Sequence, residues 1–523
     1  MKEVQKLGSA DFRLLRKSAL LRAKNRRVRK ARTLRYLSST NWKLELQTRN
    51  RKPTTGNWSP PVSDFDFPVS NFEFRIAPAR AAAYQILRQV EQGRGFAVEL
   101  LQRPRVAALS ELDRRLVTEL VMGVLRWGGE LDYRIEQLSG RPIKYFDPEV
   151  ATILRLGIYQ MLVLGKVPKS AAVNECVELV KRARKRSAAA LVNAVLRKCP
   201  VSLQQGEDRK AALPDPETAE AALRSLPQWL RERWVVNFGP EVAESLARAS
   251  VSTPSTTLRM TARSQTREEV LHELSREGIE ALPARYAAGA LVVESGSVQT
   301  SKAWREGKVV IQDEASQLVA ELVAPQAGQC LLDLCAAPGM KTAQLAAALN
   351  SGTLVACDSS LRRLGTMAKL LPQRLPNDVR AHVVCQDATR SSALGMQFDR
   401  ILLDAPCSGT GTLARNPEIK WRLQPCDVLR LAEVQKNMLR HALGALAKGG
   451  RLVYATCSLE PEENVQLVEK TLYENRDFRL LTRGELVAEF PSLSELFDPR
   501  GCFRTRPDLH RMDGFFAAVL ARV

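Results

Sequence analysis

Five short apolar runs constrain this chain more than any other feature: "CLLDLCA", "TLVACD", "AHVVCQD", "DRILLDAP" and "GRLVYATCS". Each is nearly continuous, as strands buried on both faces of a sheet must be. Helical patterns separate them, so from about residue 307 to the end the alternation predicts an α/β, doubly wound sheet. Each run ends in a polar or reactive residue: Asp333 or Cys335, then Asp358, Asp387, Asp404 and Cys457. Ligands of open α/β sheets bind outside the carboxyl ends of the strands, so these ends converge on one crevice. A single acid at a strand end can be a helix N-cap; five polar ends in succession are hard to explain as structure alone.

The first turn, "DLCAAPGMKTAQLA", is rich in small residues and runs straight into a helix. Its backbone N–H groups suit an anionic group such as a carboxylate. It lacks G-x-G-x-x-G, and Lys341-Thr342 lacks the glycine spacing of a phosphate loop, which disfavours a dinucleotide and ATP. Asp358 lies 19 residues after Gly339, the distance at which an acid meets ribose hydroxyls in such folds. Asp387, at the next strand end, is placed for an adenine amino group. A nucleoside with a carboxylate-bearing tail fits, which points to S-adenosylmethionine.

Cys407 in "LLDAPCSGTG" and Cys457 in "LVYATCSLE" admit three readings: a disulfide, metal ligands, or separate tools of one reaction. The ten cysteines are scattered without a CxxC pair, and the four histidines do not cluster beside them, so no metal is expected.

At 523 residues, 45% hydrophobic, the chain predicts several soluble domains. No apolar run is long enough to cross a bilayer, and no cleavable leader pattern opens the chain. A cytoplasmic protein with free thiols, not associated with membranes, is expected. The net charge of +21 is uneven: residues 1–60 hold 17 Lys/Arg against 3 Asp/Glu, or +14. Such an arm suits a polyanion, although a disordered, solvated tail explains it equally well.

From Ala77 the texture is helical. In "ARAAAYQILRQV" positions 83, 84, 86, 87 and 90 form one apolar stripe; further helices start at Ser110 and Asp147, and no strand signal intrudes before about 200. The run "KRARKR" at 181–186 reads as a solvated loop that can also meet phosphate. Beyond a polar link near 203–217, "STTLRMTA" and "ALVVESG" read as strands and "TREEVLHELSREG" as a helix capped by Thr266. Four segments follow: a basic, disordered extension at 1–75, a helical domain at 76–220, a small α+β module at 221–306 and the α/β domain at 307–523.

"LDLCAAPGMKT", "LLDAPCSGTGTLARNPEIKW" and "YATCSLEPEEN" resemble the motifs of the RNA cytosine-5 methyltransferases. "LRLGIYQMLVLGKVPKSAAVNECVELVK" and "LVNAVLR" resemble the NusB-like RNA-binding domain of that family's bacterial ribosomal branch. The resemblance covers residues 77 to 523. It implies an all-α NusB-like domain, a small RRM-like module and a Rossmann-type class I methyltransferase domain acting on small-subunit ribosomal RNA. A monomer is expected, with an unpaired loop as target because the base must leave its stack. Carried over residue by residue, it gives Cys335, Ala336, Ala337, Pro338, Gly339, Met340 and Lys341, with Asp358, Asp387 and Asp404, contact with S-adenosylmethionine or the base. Cys457 becomes the nucleophile, Cys407 the group aiding product release, and Asp404 and Lys341 their catalytic neighbours. One departure stands out: the family's turn often reads Gly-Gly-Lys, where this chain has Gly339-Met340-Lys341. A methionine at 340 is strained if that position needs positive φ.

The chemistry explains the residue types. Carbon 5 of cytosine is too poor a nucleophile to take a methyl group unaided, and a thiolate adding to carbon 6 activates it. Two other classes compete. A non-catalytic, antitermination-type RNA-binding protein explains the helices and the charge but not the strand ends. A DNA cytosine methyltransferase uses a Pro-Cys nucleophile followed by Glu-Asn-Val; "ENV" does occur at 463–465, but after the Thr-Cys motif, where it reads as a helix start.

Overall fold

The computed structural model describes residues 76–164, 167–200, 219–261, 266–371, 375–390 and 395–523. The basic arm and the link near 203–217 lie outside the described residues.

The helical part follows its apolar stripes. Helix Pro78–Glu91 buries Ala79, Ala83, Tyr84, Ile86, Leu87 and Val90. Ser110 caps Glu111–Arg126 by accepting from the Asp113 N–H at 3.1 Å. Helix Pro148–Val163 lies at the centre and is buried nearly all round. A Cβ on Gly123 would lie 2.0 Å from the Tyr159 ring, so only glycine lets these two helices approach so closely. Asp147 precedes the central helix without capping it. Its carboxylate instead pairs with Lys185 of the basic run at 2.9 Å, and Lys181 of the same run pairs with Glu178. The helical core also runs past 220: helices Gln228–Phe238 and Pro240–Val251 add Leu230, Trp234, Leu246 and Val251 to the same buried cluster.

Four strands form a small antiparallel sheet: β1 (Thr256–Met260), β2 (Glu280–Pro283), β3 (Ala290–Ser295) and β4 (Val309–Ile311), in the order β2-β3-β1-β4. Helix Arg267–Arg276, opened by a capping box between Thr266 and Glu269, packs Val270 and Leu274 with Leu258, Leu291 and Val309. β4 completes this sheet although it lies beyond 306.

The second sheet holds β5 (Cys330–Asp333), β6 (Gly352–Asp358), β7 (Val379–Cys385), β8 (Phe398–Asp404), β9 (Leu446–Thr456), β10 (Phe478–Leu480), β11 (Phe503–Arg504) and β12 (Phe516–Arg522). The order is β10-β12-β9-β8-β5-β6-β7, with β11 beside β12. From β9 to β7 all pairs are parallel, and alternate residues go to opposite faces: Leu331, Leu402 and Val453 to one core, Leu332, Leu403 and Leu452 to the other. Strand and helix alternate to the end of the chain, but β12 runs antiparallel to β9, so the parallel pairing does not. The chain leaves β5 for β6 and β7 on one side, then returns to β8 and β9 on the other. The topological switch point therefore lies between β5 and β8, where a ligand crevice is expected.

Candidate active site

Two of the predicted site segments leave β5 and β6. After β5, residues 334–339 turn into helix Met340–Leu349. Gly339 carries the left-handed backbone, at φ +99°, and a Cβ there would lie 2.9 Å from the Met367 side chain. Met340 instead sits in the first helical turn, without positive φ, so the departure at that position costs no strain. Its carbonyl accepts from Arg259 of β1 at 3.4 Å. Asp333 is buried, accepts from the Thr342 hydroxyl at 2.7 Å, and leaves Oδ1 without a partner. Burial pushes its carboxyl up to about 7. Burial likewise raises the Cys335 thiol, which packs against the hydrophobic core.

Asp358, at the end of β6, accepts from the Ser360 N–H at 2.9 Å and the Ala337 N–H at 3.3 Å, and pairs with Arg363 at 3.3 Å. It therefore braces the first turn from the neighbouring strand. Asp387 lies two residues beyond β7. It accepts from the Thr389 hydroxyl at 2.7 Å and the Thr389 N–H at 3.0 Å, bonds that hold its carboxyl below the usual range. Its contacts are with Thr389 and Arg390, not with the turn.

The reactive groups meet over β8 and β9. Lys341 Nζ donates to Asp404 Oδ2 at 2.8 Å and lies 5.2 Å from the centre of the Phe515 ring. Burial alone would lower this lysine; the Asp404 charge and hydrogen bond, with Cys457 and Asp333 adding, hold it above its ordinary value. Cys407 Sγ and Cys457 Sγ are 3.3 Å apart as free thiols. The hydrogen bond with Cys457, then burial, then the Cys457 and Glu463 charges push Cys407 well above the ordinary thiol range. Asp404 registers with Ala455 across the two strands. Beyond them, the Gly411 N–H donates to the Cys457 carbonyl at 3.0 Å, and Gly514 N–H to the Gly411 carbonyl at 2.8 Å. A Cβ on Gly411 would fall 2.0 Å from the Gly514 carbonyl, so the loops are in backbone contact.

Several functional neighbours escaped the sequence reading. Glu463, the first residue of "ENV", does not merely open a helix. It ends a 3₁₀ turn, is fully buried, and its carboxylate reaches both cysteine loops through Ser408 and Ser458. The tail of the "LARNPEIKW" motif bonds to other parts of the chain. Arg415 pairs with Asp313 at 2.8 Å and Asp513 at 3.0 Å and donates to the Ser255 carbonyl, tying in the small sheet. Buried Glu418 accepts from the Ala97 N–H at 2.6 Å, Lys420 donates to the Arg126 carbonyl at 2.7 Å, and the Trp421 indole to the Leu125 carbonyl at 2.9 Å. Burial, with Arg126 nearby, brings Lys420 down to about 7. A second tie joins Arg233 and Trp234 to Glu460, just past Cys457. The conspicuous charges were readable in the sequence, but the partners of Arg415, Glu418, Lys420 and Arg233 lie 98 to 321 residues away.

A mixed sheet with this switch point, a Gly-containing turn into a helix and an acid at the second strand end is the arrangement of the Rossmann-type S-adenosylmethionine-dependent methyltransferases. The comparisons narrow the class. The family model for 16S rRNA methyltransferase RsmB/F matches residues 320–521, the NusB family model residues 77–200, and a ferredoxin-like domain of RsmF/B-like methyltransferases residues 226–299. The chain is 34% identical over 448 residues to a probable ribosomal RNA small subunit methyltransferase B of Bacillus subtilis, covering 85% of this chain and 98% of that one. It is 35% identical over 454 residues to ribosomal RNA small subunit methyltransferase B of Vibrio cholerae, covering 85% and 97%. The crystal structure of PH0851 shares the fold at a TM-score of 0.68 and 24% identity, covering 86% of this chain and all of that one. The chain belongs to the small-subunit ribosomal RNA methyltransferase B family.

Proposed function

We propose that this enzyme transfers a methyl group to carbon 5 of a cytosine in an unpaired loop of 16S ribosomal RNA, through a covalent bond between Cys457 and carbon 6. The observation that carries this reading is the 3.3 Å separation of the Cys407 and Cys457 sulfurs beside the Lys341–Asp404 pair. A disulfide would remove the nucleophile. Among the described residues no cluster of three or more His, Cys, Asp or Glu side chains could hold a metal.

The residues present suit S-adenosylmethionine. Helix Met340–Leu349 begins without a side-chain cap, and its first N–H groups suit a carboxylate. The orphaned Asp333 Oδ1 leaves an acceptor in the same turn. In this reading the 335–341 segment and Asp358 hold the methionine and ribose parts, Asp387 meets the adenine, and Asp404 lies between cofactor and base. When bound, the cofactor supplies an electrophilic methyl group to carbon 5. The chain's own residues do the rest. Cys457 thiolate gives its electron pair to carbon 6, and the double-bond electrons become available at carbon 5. Asp404 hydrogen-bonds the edge of the base, with the Lys341 charge beside it offsetting the negative charge that develops. Once Cys457 is bonded to carbon, its sulfur no longer holds the Cys407 proton, while burial and the Glu463 charge still act against ionisation of Cys407. Cys407 releases that proton to solvent and takes the one leaving carbon 5. The bond to carbon 6 then breaks, and its electron pair returns to Cys457. A base reached from both faces must leave its stack, which favours an unpaired loop.

The two cysteines should fail differently. Cys457→Ala should yield neither methylated RNA nor an adduct. Cys407→Ala should accumulate a protein–RNA adduct that survives denaturing electrophoresis. An adduct with Cys457→Ala that vanishes with Cys407→Ala would reverse the roles. Bisulfite sequencing of ribosomal and transfer RNA, with and without the gene, identifies the target; a lost mark in transfer RNA or 23S RNA alone would move the substrate.

A further inference from the structure

The carboxylate of Glu463 has no part in the reaction described above, although its residue is fully buried. Burying a carboxylate is costly unless its oxygens are well satisfied. Here the Ser408 N–H donates to Oε1 at 2.9 Å and the Gln435 carboxamide at 2.8 Å, while the Ser408 and Ser458 hydroxyls both reach Oε2. The two hydroxyls are also 2.9 Å from each other. These partners are hydroxyls and amides, not a cation, so this is no buried salt bridge.

Ser408 and Ser458 directly follow Cys407 and Cys457. The strands below set a register of Asp404 with Ala455, a separation of 51, whereas Cys407 with Cys457 and Ser408 with Ser458 are separated by 50. One residue of slip is therefore taken up within a few residues, and strand pairing alone does not fix the sulfurs opposite each other. Glu463 bonds to both chains at the first position beyond them. Gln435 ties the same carboxylate to the Pro406 carbonyl at 2.9 Å, and the Tyr454 hydroxyl donates to the Glu463 carbonyl at 2.6 Å.

We propose that Glu463 is a positioning residue for the methyl transfer: it clamps the Cys407-Ser408 and Cys457-Ser458 dipeptides side by side and makes Cys407 the thiol that donates to a Cys457 thiolate. This rests on the reading of Cys457 as nucleophile. The carboxylate takes two bonds from Ser408 and one from Ser458, and its negative charge opposes ionisation of Cys407. The 3.3 Å separation lets a thiol on Cys407 donate to the Cys457 sulfur. The clamp thereby makes two neighbouring thiols chemically unequal.

Glu463→Gln keeps the side chain's size but removes its negative charge and reverses the donor–acceptor sense toward the two serine hydroxyls. The variant should lose about tenfold or more in kcat, while KM for RNA stays within about twofold, as expected for an interaction that matters in the transition state. Alkylation of Cys457 by iodoacetamide, followed by mass spectrometry, should slow in parallel. A role in folding alone would also weaken cofactor affinity, measured by calorimetry, and would not single out this thiol. Should Glu463→Gln fail to bind cofactor, the Ser408→Ala, Ser458→Ala double variant replaces it, removing the hydroxyl donors and keeping the carboxylate, with the same expectations. Unchanged kcat and unchanged Cys457 alkylation in the variant that binds cofactor overturn the proposal. Full activity of Cys457→Ala would instead overturn the reaction on which it rests.

Discussion

At the scale of single residues, the site is a set of side chains whose bonds already commit them in the free protein. Asp358 is the sharpest case. It braces the first turn through the Ala337 N–H and holds Ser360 and Arg363, while Oδ1, bonded to Ser360 alone, keeps a lone pair for a ligand. Asp358→Ala should weaken S-adenosylmethionine binding by about 1–3 kcal/mol, because hydrogen-bonding groups of the turn and ligand lose their partner. RNA affinity should hardly change. Calorimetry that finds cofactor affinity intact in this variant removes Asp358 from the proposed cofactor site. Lys341 is committed in the same way: it bonds to Asp404, lies over Phe515, and its charge interacts with Cys457.

At the scale of elements, β5, β6, β8 and β9 were legible because burial on both faces keeps their central residues apolar, whereas β7, at the sheet edge, is only partly buried and carries Arg380 and His382. The stripe at 83, 84, 86, 87 and 90 was legible for the matching reason, one buried helix face. β12 was less so: it is as apolar as its neighbours, and nothing local reveals that it inserts antiparallel between β9 and β10. The site divides similarly. Cys407, Cys457, Lys341 and Asp404 stand at strand ends or in the first turn, where topology predicts them, whereas Glu463, Arg415 and Lys420 gain meaning only from distant partners. Lys420 permits a test of that long-range clasp. Its amine falls from an ordinary 10.5 to about 7 on burial. Between those values the unfolded chain binds a proton that the folded clasp does not, so this residue's contribution to stability rises with pH through that window. Below about 7 both states are protonated and its destabilising effect is full. Lys420→Met cannot titrate. The stability of the native protein relative to this variant, from denaturant unfolding, should therefore increase from neutral pH toward about 10. A flat difference across that range would mean the amine is not held neutral.

At the scale of the whole molecule, the motif that carries Cys407 also carries the ties to the rest of the chain. Arg415 fastens the small sheet, and residues 418–422 fasten the helical domain. Glu460 repeats the arrangement three residues after Cys457. An RNA-binding helical domain joined this directly to the cysteine loops can set the target loop relative to the reactive sulfurs, which is what a positioned bimolecular reaction requires. The basic arm outside the described residues adds a different kind of interaction. Seventeen Lys/Arg against three Asp/Glu in 60 residues carry charge but no fixed donor pattern for bases, so the arm should attract phosphate without reading sequence. Deleting residues 1–60 is expected to weaken binding to many RNAs alike. The slope of log affinity against log salt should become shallower by roughly 0.7 to 0.9 for each phosphate that the arm neutralises. Turnover at saturating RNA should stay near that of the full chain, because every residue proposed for catalysis lies beyond 330. Filter binding across a salt series decides the matter: a slope unchanged by the deletion means that the arm does not lie on RNA, and a weakening confined to one RNA sequence means that it reads bases.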